Sequence, residues 1–157
     1  MTNGMFTEIL LGALALLLVI AAVIDVRTFT ISNRLNLTVA LRAPLYWWSV
    51  GLPLWPAAAI QVGLAIAVFG LFSLAFFAGM MGGGDVKLAA ALAIWFPPVA
   101  TARFLVFMSI AGGVVTLFVW VRHRRLKKSG KPQVPYGVAI AIGALAILTQ
   151  RFLNQFA

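Results

Sequence analysis

The chain has 157 residues, of which 63% are hydrophobic and only 10% charged. Soluble domains are nearer half apolar and about a quarter charged, so this composition predicts an integral membrane protein. The sequence has no cysteine and a single histidine, His123. A disulfide, a thiol nucleophile and a cysteine- or histidine-based metal centre are therefore excluded, and we expect neither a metal nor a cofactor.

The formal net charge is +9, from twelve lysines and arginines against three acids. Most of these cations fall between apolar runs, which is typical of topology signals in membrane proteins and not of a nucleic-acid-binding surface. We therefore expect the lipid bilayer, and no nucleic acid, as a partner.

The apolar runs predict an all-α bundle of about six transmembrane helices in a single domain, residues 1–157. The predicted spans are Phe6–Val26, Leu35–Leu52, Ala57–Ala78, a shorter helix from Val86 to about Pro97, Phe104–Val121, and Pro135–Leu148. The fourth is marginal for a full crossing, and we expect its end to continue irregularly towards Arg103.

Charge orients this bundle. Nine of the twelve cations, including Arg27, Arg34, Lys87 and the six within 122–131, lie in the first, third and fifth connections. The positive-inside rule places these connections in the cytoplasm, with both termini on the other side. We interpret the basic segment 122–131 as a topology anchor, and the role of Arg42, inside the second span, is left open.

Two aspartates carry the chemical information. Asp25 and Asp85 are the only aspartates and, with Glu8, the only acids. Burying a charge without a partner is costly, so each needs a reason to lie at the end of an apolar run. The predicted topology brings both to the cytoplasmic end of the bundle at the same depth, which favours a paired-carboxylate site.

Two nearby carboxylates can activate water for peptide hydrolysis, one ionised as a base and the other protonated as an acid. The dipole of each aspartate's own helix favours Asp85 as the ionised member and Asp25 as the protonated one. Gly82, Gly83 and Gly84 precede Asp85, and we expect them to allow positive φ angles or close approach of a substrate backbone. A plain glycine turn with Asp85 as the helix N-cap is the structural alternative.

Two other functions use the same residues. Intramembrane carboxylates also serve ion or proton relays, so a small proton- or ion-coupled transporter is one alternative. A non-catalytic assembly subunit of a membrane complex is the other.

The string Gly82-Gly83-Gly84-Asp85-Val86-Lys87 resembles the G-x-G-D motif of intramembrane aspartyl proteases, and most of all that of the prepilin peptidase family. Similarity extends to Asp25-Val26-Arg27 with Ile31-Ser32-Asn33-Arg34, and to the stretch from Pro135, Tyr136 and Gly137 to Ala141. The resemblance extends over nearly the whole chain, from the first predicted span to the last.

This resemblance implies an aspartic endopeptidase that cuts the leader peptide of type IV prepilins or pseudopilins at the cytoplasmic face of a bacterial inner membrane. It implies that Asp25 and Asp85 are catalytic. The loop or substrate-contacting residues that it implies are Arg27, Asn33, Gly82, Gly83, Gly84, Lys87, Pro135, Tyr136 and Gly137. The cysteine-rich insert of the long members is absent, so the chain resembles the short form of tight-adherence, Flp-type pilus systems, and methyltransferase activity is not expected.

Overall fold

The computed structural model describes residues 4–126 and 132–154, which form six helices and, within those ranges, no strand. The helices are α1 (Gly4–Thr28), α2 (Asn33–Ser49), α3 (Ala59–Phe77), α4 (Gly83–Trp95), α5 (Pro98–Arg125) and α6 (Tyr136–Asn154). The predicted all-helical fold with six helices is confirmed. The predicted orientation of the termini stays a prediction.

Within the described ranges, four stretches are long and apolar enough to cross a bilayer: Gly4–Thr28, Leu54–Phe77, Pro98–Arg125 and Tyr136–Asn154. Helix α4 has 13 residues, about 20 Å of helix, which is short against a hydrocarbon core of about 30 Å. The protein is thus a multi-pass membrane protein in which α4 is an internal, shorter element.

Helix α1 is buried along a single line of side chains. Leu10, Leu14, Leu18, Ala21 and Asp25 are all buried, at spacings of three and four residues. This spacing places them on one helical face, while the other faces of α1 expose large apolar side chains. Asp25 therefore points into the bundle together with the leucines that precede it.

Helix α4 lies at the centre of the bundle, in contact with α2, α3 and α6. Every residue from Leu88 to Ala93 is buried. Four of those six residues are alanines, and small side chains let membrane helices approach closely. Asp85 thus lies at the start of the most enclosed helix of the protein.

The junction between α4 and α5 differs from the prediction. Phe96 is extended, with φ −103° and ψ 134°, as the residue before a proline tends to be. Pro98 then occupies the first turn of α5, where its missing N–H costs nothing. The irregular continuation to Arg103 was wrong, because α4 ends at Trp95 and α5 begins at Pro98, with only Phe96 and Pro97 between them.

Buried polar side chains tie the shorter helices to their neighbours. The indole N–H of Trp47 on α2 donates to Gln61 Oε1 at 2.7 Å. The indole N–H of Trp95 on α4 donates to the carbonyl oxygen of Val39 at 2.9 Å. Such bonds across helices remove polar groups from an apolar environment and fix how α2 sits against α3 and α4.

Two features left open by the sequence lie away from these contacts. Arg42 is half-buried on α2, and its Nη1 has no hydrogen-bond partner among the described residues. Arg122, Arg124 and Arg125 are exposed at the end of α5. The rest of the basic segment, Lys127, Lys128 and Lys131, lies outside the described residues.

Candidate active site

Asp25 lies in the last turn of α1 with 2% of its surface exposed. Its Oδ2 accepts a hydrogen bond of 2.7 Å from the backbone N–H of Gly137, and the N–H of Val138 also interacts with the carboxylate. Gly137 is the second residue of α6. The carboxylate therefore faces the positive end of the α6 dipole, although it lies at the negative end of its own helix.

Asp85 is the third residue of α4 and has 7% of its surface exposed. Its Oδ2 accepts the backbone N–H of Gly82 at 3.3 Å, the side-chain half of a capping box. Gly82 is the N-cap of α4, so the N-cap role that the structural alternative gave to Asp85 belongs to Gly82. Asp85 Oδ1 has no hydrogen-bond partner within the described part of the chain.

Ile31, in the α1–α2 connection, links the two aspartate environments. A Cβ on Gly137 would lie 2.7 Å from Ile31 Cδ1, and a Cβ on Gly84 would lie 2.6 Å from the Ile31 carbonyl oxygen. Ile31 thus fills the space between the beginnings of α4 and α6. The two carboxylates are close enough to interact electrostatically.

The glycines before Asp85 act through close packing and not through unusual backbone angles. None of Gly82, Gly83 and Gly84 has a positive φ, whereas Gly79, earlier in the same connection, has φ 70°. The expected positive φ angles were therefore wrong for these three positions. A Cβ at Gly82 would lie 2.8 Å from Asp85 Oδ2, so the absence of a side chain there leaves room for the carboxylate.

Asn36 holds this glycine segment from the α2 side. It is buried, and its Nδ2 donates to the carbonyl oxygen of Gly84 at 2.9 Å. The bond adds a side-chain donor to a backbone carbonyl in the first turn of α4, one residue before Asp85, and so ties α2 to this turn. Asn36 was not among the predicted site residues, although an asparagine at the start of an apolar span was a usable signal.

Comparison with known proteins identifies the family. The sequence profile of the type IV leader peptidase family matches residues 12–117, more than half of the chain. The chain belongs to the type IV leader peptidase family. No curated protein matches it, and no solved structure does.

Membership in this leader peptidase family makes the protein a leader-peptidase-like protease. The matched segment contains Asp25, Asp85 and the three glycines between Met81 and Asp85, but it ends before Gly137. The α6 contact to Asp25 is therefore a feature that the structure adds to the family match.

The polar residues predicted beside the aspartates lie at the surface of the leader peptidase fold. Lys87 Nζ donates to Asn33 Oδ1 at 2.8 Å in an exposed bond between α4 and α2. Lys87 therefore reaches away from Asp85, as expected for residues two apart on a helix. Arg27 is exposed at the end of α1.

Pro135 and Tyr136 lead into α6 directly before Gly137 and are half-buried. Ring atoms of Tyr136 come within 4.0 Å of where a Cβ on Gly112 of α5 would lie. Tyr136 therefore packs on α5, while its neighbour Gly137 meets Asp25.

The described residues, 4–126 and 132–154, contain no group of three histidine, cysteine, aspartate or glutamate side chains able to hold a metal ion. Two carboxylates with backbone N–H donors are an arrangement suited to general acid–base chemistry on water.

Proposed function

We propose that this leader peptidase family member is a membrane aspartyl endopeptidase that uses Asp25 and Asp85 to cleave the leader peptide of type IV prepilins or pseudopilins. The observation that carries the proposal is the convergence of the only two aspartates of the chain. They are 60 residues apart in sequence, yet both are buried, they interact, and each accepts a backbone N–H from a glycine at a helix start.

The hydrogen bonds support distinct roles for the two carboxylates. Asp25 accepts N–H donors at the beginning of α6, and both the donors and the helix dipole favour an anion. Asp85 has one longer bond and an unpartnered Oδ1 among the described residues. We therefore assign the proton of the pair to Asp85, the reverse of the assignment that each aspartate's own helix suggested.

With this assignment the reaction is a general acid–base hydrolysis. Asp25 takes a proton from a water molecule as the water oxygen bonds to the scissile carbonyl carbon, and Asp85 donates its proton to the carbonyl oxygen. The tetrahedral species then returns that proton to Asp85 as the carbon–nitrogen bond breaks. The leaving nitrogen takes the proton held by Asp25, which restores the starting state.

The finer identity of the enzyme belongs to the same proposal. The cations of the odd connections support a site at the cytoplasmic face of a bacterial inner membrane. The lack of cysteine supports the short form that accompanies Flp-type pili, without methyltransferase activity. The substrate is then a small protein with a cytoplasmic leader followed by an apolar helix.

Cleavage of a purified prepilin by the protein in liposomes, followed by mass spectrometry of the leader, tests the proposal. We expect Asp25→Asn and Asp85→Asn each to lower kcat by about 10²- to 10⁴-fold, the usual contribution of acid–base groups. Glu8→Gln is the matched control, since Glu8 is the third acid and is exposed at the start of α1. Leader release at the wild-type rate by either aspartate variant would refute the assignment of these residues.

A further inference from the structure

A cleft of about 590 Å³ lies between α3, α5 and the beginning of α6. One wall is α5 from Met108 to Trp120, and the other is the end of α3 with the turn that contains Met80 and Met81. Helices α3 and α5 touch each other in few places. The cleft is therefore an opening in the side of the bundle.

The inner end of this cleft adjoins both aspartates. Met81 and Tyr136 line it, and the residues that follow them are the two glycines that bind the carboxylates. Gly82 donates its N–H to Asp85, and Gly137 donates its N–H to Asp25. A chain lying in the cleft thus reaches the edge of the carboxylate pair.

The wall on α5 suits a helix. Ser109, Gly112, Gly113 and Thr116 line the cleft at spacings of three, one and three residues, which puts small side chains on one helical face. Small residues allow close helix contacts inside a bilayer. The Ser109 hydroxyl already donates to the carbonyl oxygen of Leu105 at 2.7 Å, so it needs no hydrogen-bond acceptor from a helix bound in the cleft.

The wall on α5 runs on both sides of the aspartates. From Met108 to Trp120 it spans about 18 Å, and Gly112 lies beside Tyr136, at the depth of the Gly137–Asp25 contact. With the Trp120 end towards the cytoplasm, the leader of the precursor lies on that side, and its apolar helix starts near Gly112 and runs past Met108. At the outer end of the wall, the guanidinium of Arg124 lies over the Trp120 ring, 4.1 Å from the ring centroid. The cleft is thus apolar along its length, with a cation at its outer end.

We propose that this α3–α5 cleft receives the apolar helix of the precursor and delivers the bond at the start of that helix to Asp25 and Asp85. The inference rests on the proposed function and specifies where its substrate binds. A second groove, lined by Leu37, Val62 and Ile66 on α2 and α3, borders Asn33 and Lys87. It is adjacent to the Asp85 side only, so the α3–α5 cleft is the better substrate path.

Gly113 offers a direct steric test. A Cβ on Gly113 meets nothing within 4 Å, so a larger side chain there fills the cleft without a clash in the protein. Gly70 on α3 is the matched control, because it is also a helical glycine with no atom within 4 Å of a Cβ. We expect Gly113→Leu to raise KM for the precursor by about tenfold or more with little change in kcat, the pattern of lost substrate binding. Gly70→Leu retains the wild-type KM.

Crosslinking gives an independent measurement, since a chain without cysteine accepts a single introduced one. In the Asp85→Asn background, Ser109→Cys is expected to form a disulfide with a cysteine in the precursor's apolar helix, and Ile66→Cys in the second groove is not. An unchanged KM for Gly113→Leu, or crosslinking at position 66 in place of 109, overturns the cleft assignment and leaves lipid or the second groove as the explanation. Wild-type protein that leaves the precursor uncut refutes the proposed function instead.

Discussion

Replacing Gly137 with alanine tests the contact that distinguishes the two carboxylates. An added Cβ would lie 2.7 Å from Ile31 Cδ1, 2.8 Å from Asp25 Oδ2 and 2.9 Å from Asp25 Cγ. All three distances are shorter than normal carbon contacts. Because the atoms in the way are side-chain ends, the fold can adapt, and the adaptation moves the carboxylate away from its donor.

The size of the effect follows from the bond that is disturbed. The Gly137 N–H to Asp25 Oδ2 bond is 2.7 Å long and buried. A hydrogen bond to a charged group contributes about 1.5–3 kcal/mol. If that stabilisation of the Asp25 anion is lost, the proton of the pair is favoured on Asp25 by the same free energy. The fraction of enzyme with Asp25 ionised and Asp85 protonated then falls, and kcat with it, by up to about 10- to 150-fold at 1.36 kcal/mol for each factor of ten.

The assay is leader cleavage in liposomes at saturating precursor, with thermal unfolding measured on the same preparations. Gly63→Ala is the control, because Gly63 is a helical glycine of α3 where a Cβ meets nothing within 4 Å. We expect full activity and wild-type melting from Gly63→Ala, and from Gly137→Ala a lowered melting temperature that still leaves the protein folded under the conditions of the assay. A Gly137→Ala protein with wild-type kcat would show that the α6 contact does not hold the catalytic geometry.

Two further predictions concern the beginning of α4. Gly84→Ala places a Cβ 2.6 Å from the Ile31 backbone oxygen, so we expect a loss of about 1–3 kcal/mol in the free energy of unfolding with reduced cleavage. Gly83→Ala should melt close to wild type, because the nearest contact of its added Cβ is 3.4 Å from the Phe76 ring. Equal melting temperatures for Gly83→Ala and Gly84→Ala would contradict this packing argument. Asn36→Ala removes the 2.9 Å side-chain bond to the Gly84 carbonyl, which also accepts an intrahelical N–H, and we expect about 0.5–1.5 kcal/mol of destabilisation by thermal or denaturant unfolding. A destabilisation no larger than that of Asn33→Ala, which removes only the exposed bond to Lys87, would count against a positioning role for Asn36.

Local patterns in the sequence were sufficient for the helices and for one face of the site. The apolar runs predicted six helices because membrane spans need long stretches without charge. The line Leu10, Leu14, Leu18, Ala21 and Asp25 has helical spacing, but the other faces of α1 are equally apolar, so the inward direction of Asp25 came from the structure. The glycines before Asp85 marked the beginning of α4, although their role proved to be close packing.

The contacts between distant segments were not readable in this way. Nothing local in the sequence indicates that Gly137 donates to Asp25 across 112 positions, or that Asn36 donates to Gly84 across 48. The protonation assignment that we propose depends on such a contact, since the dipole acting on Asp25 belongs to α6 as well as to α1.

The sequence by itself determined a helical membrane protein whose only two aspartates lie at the ends of apolar runs. The reason is that the bilayer core excludes charge and offers no hydrogen-bond partners to the backbone, so each span must be apolar and helical. The tertiary structure alone decided which helix beginning faces each acid, and where the bundle opens beside them. Those outcomes depend on how helices far apart in the chain pack against the central α4, and the shapes of the meeting side chains, Ile31 above all, set that packing.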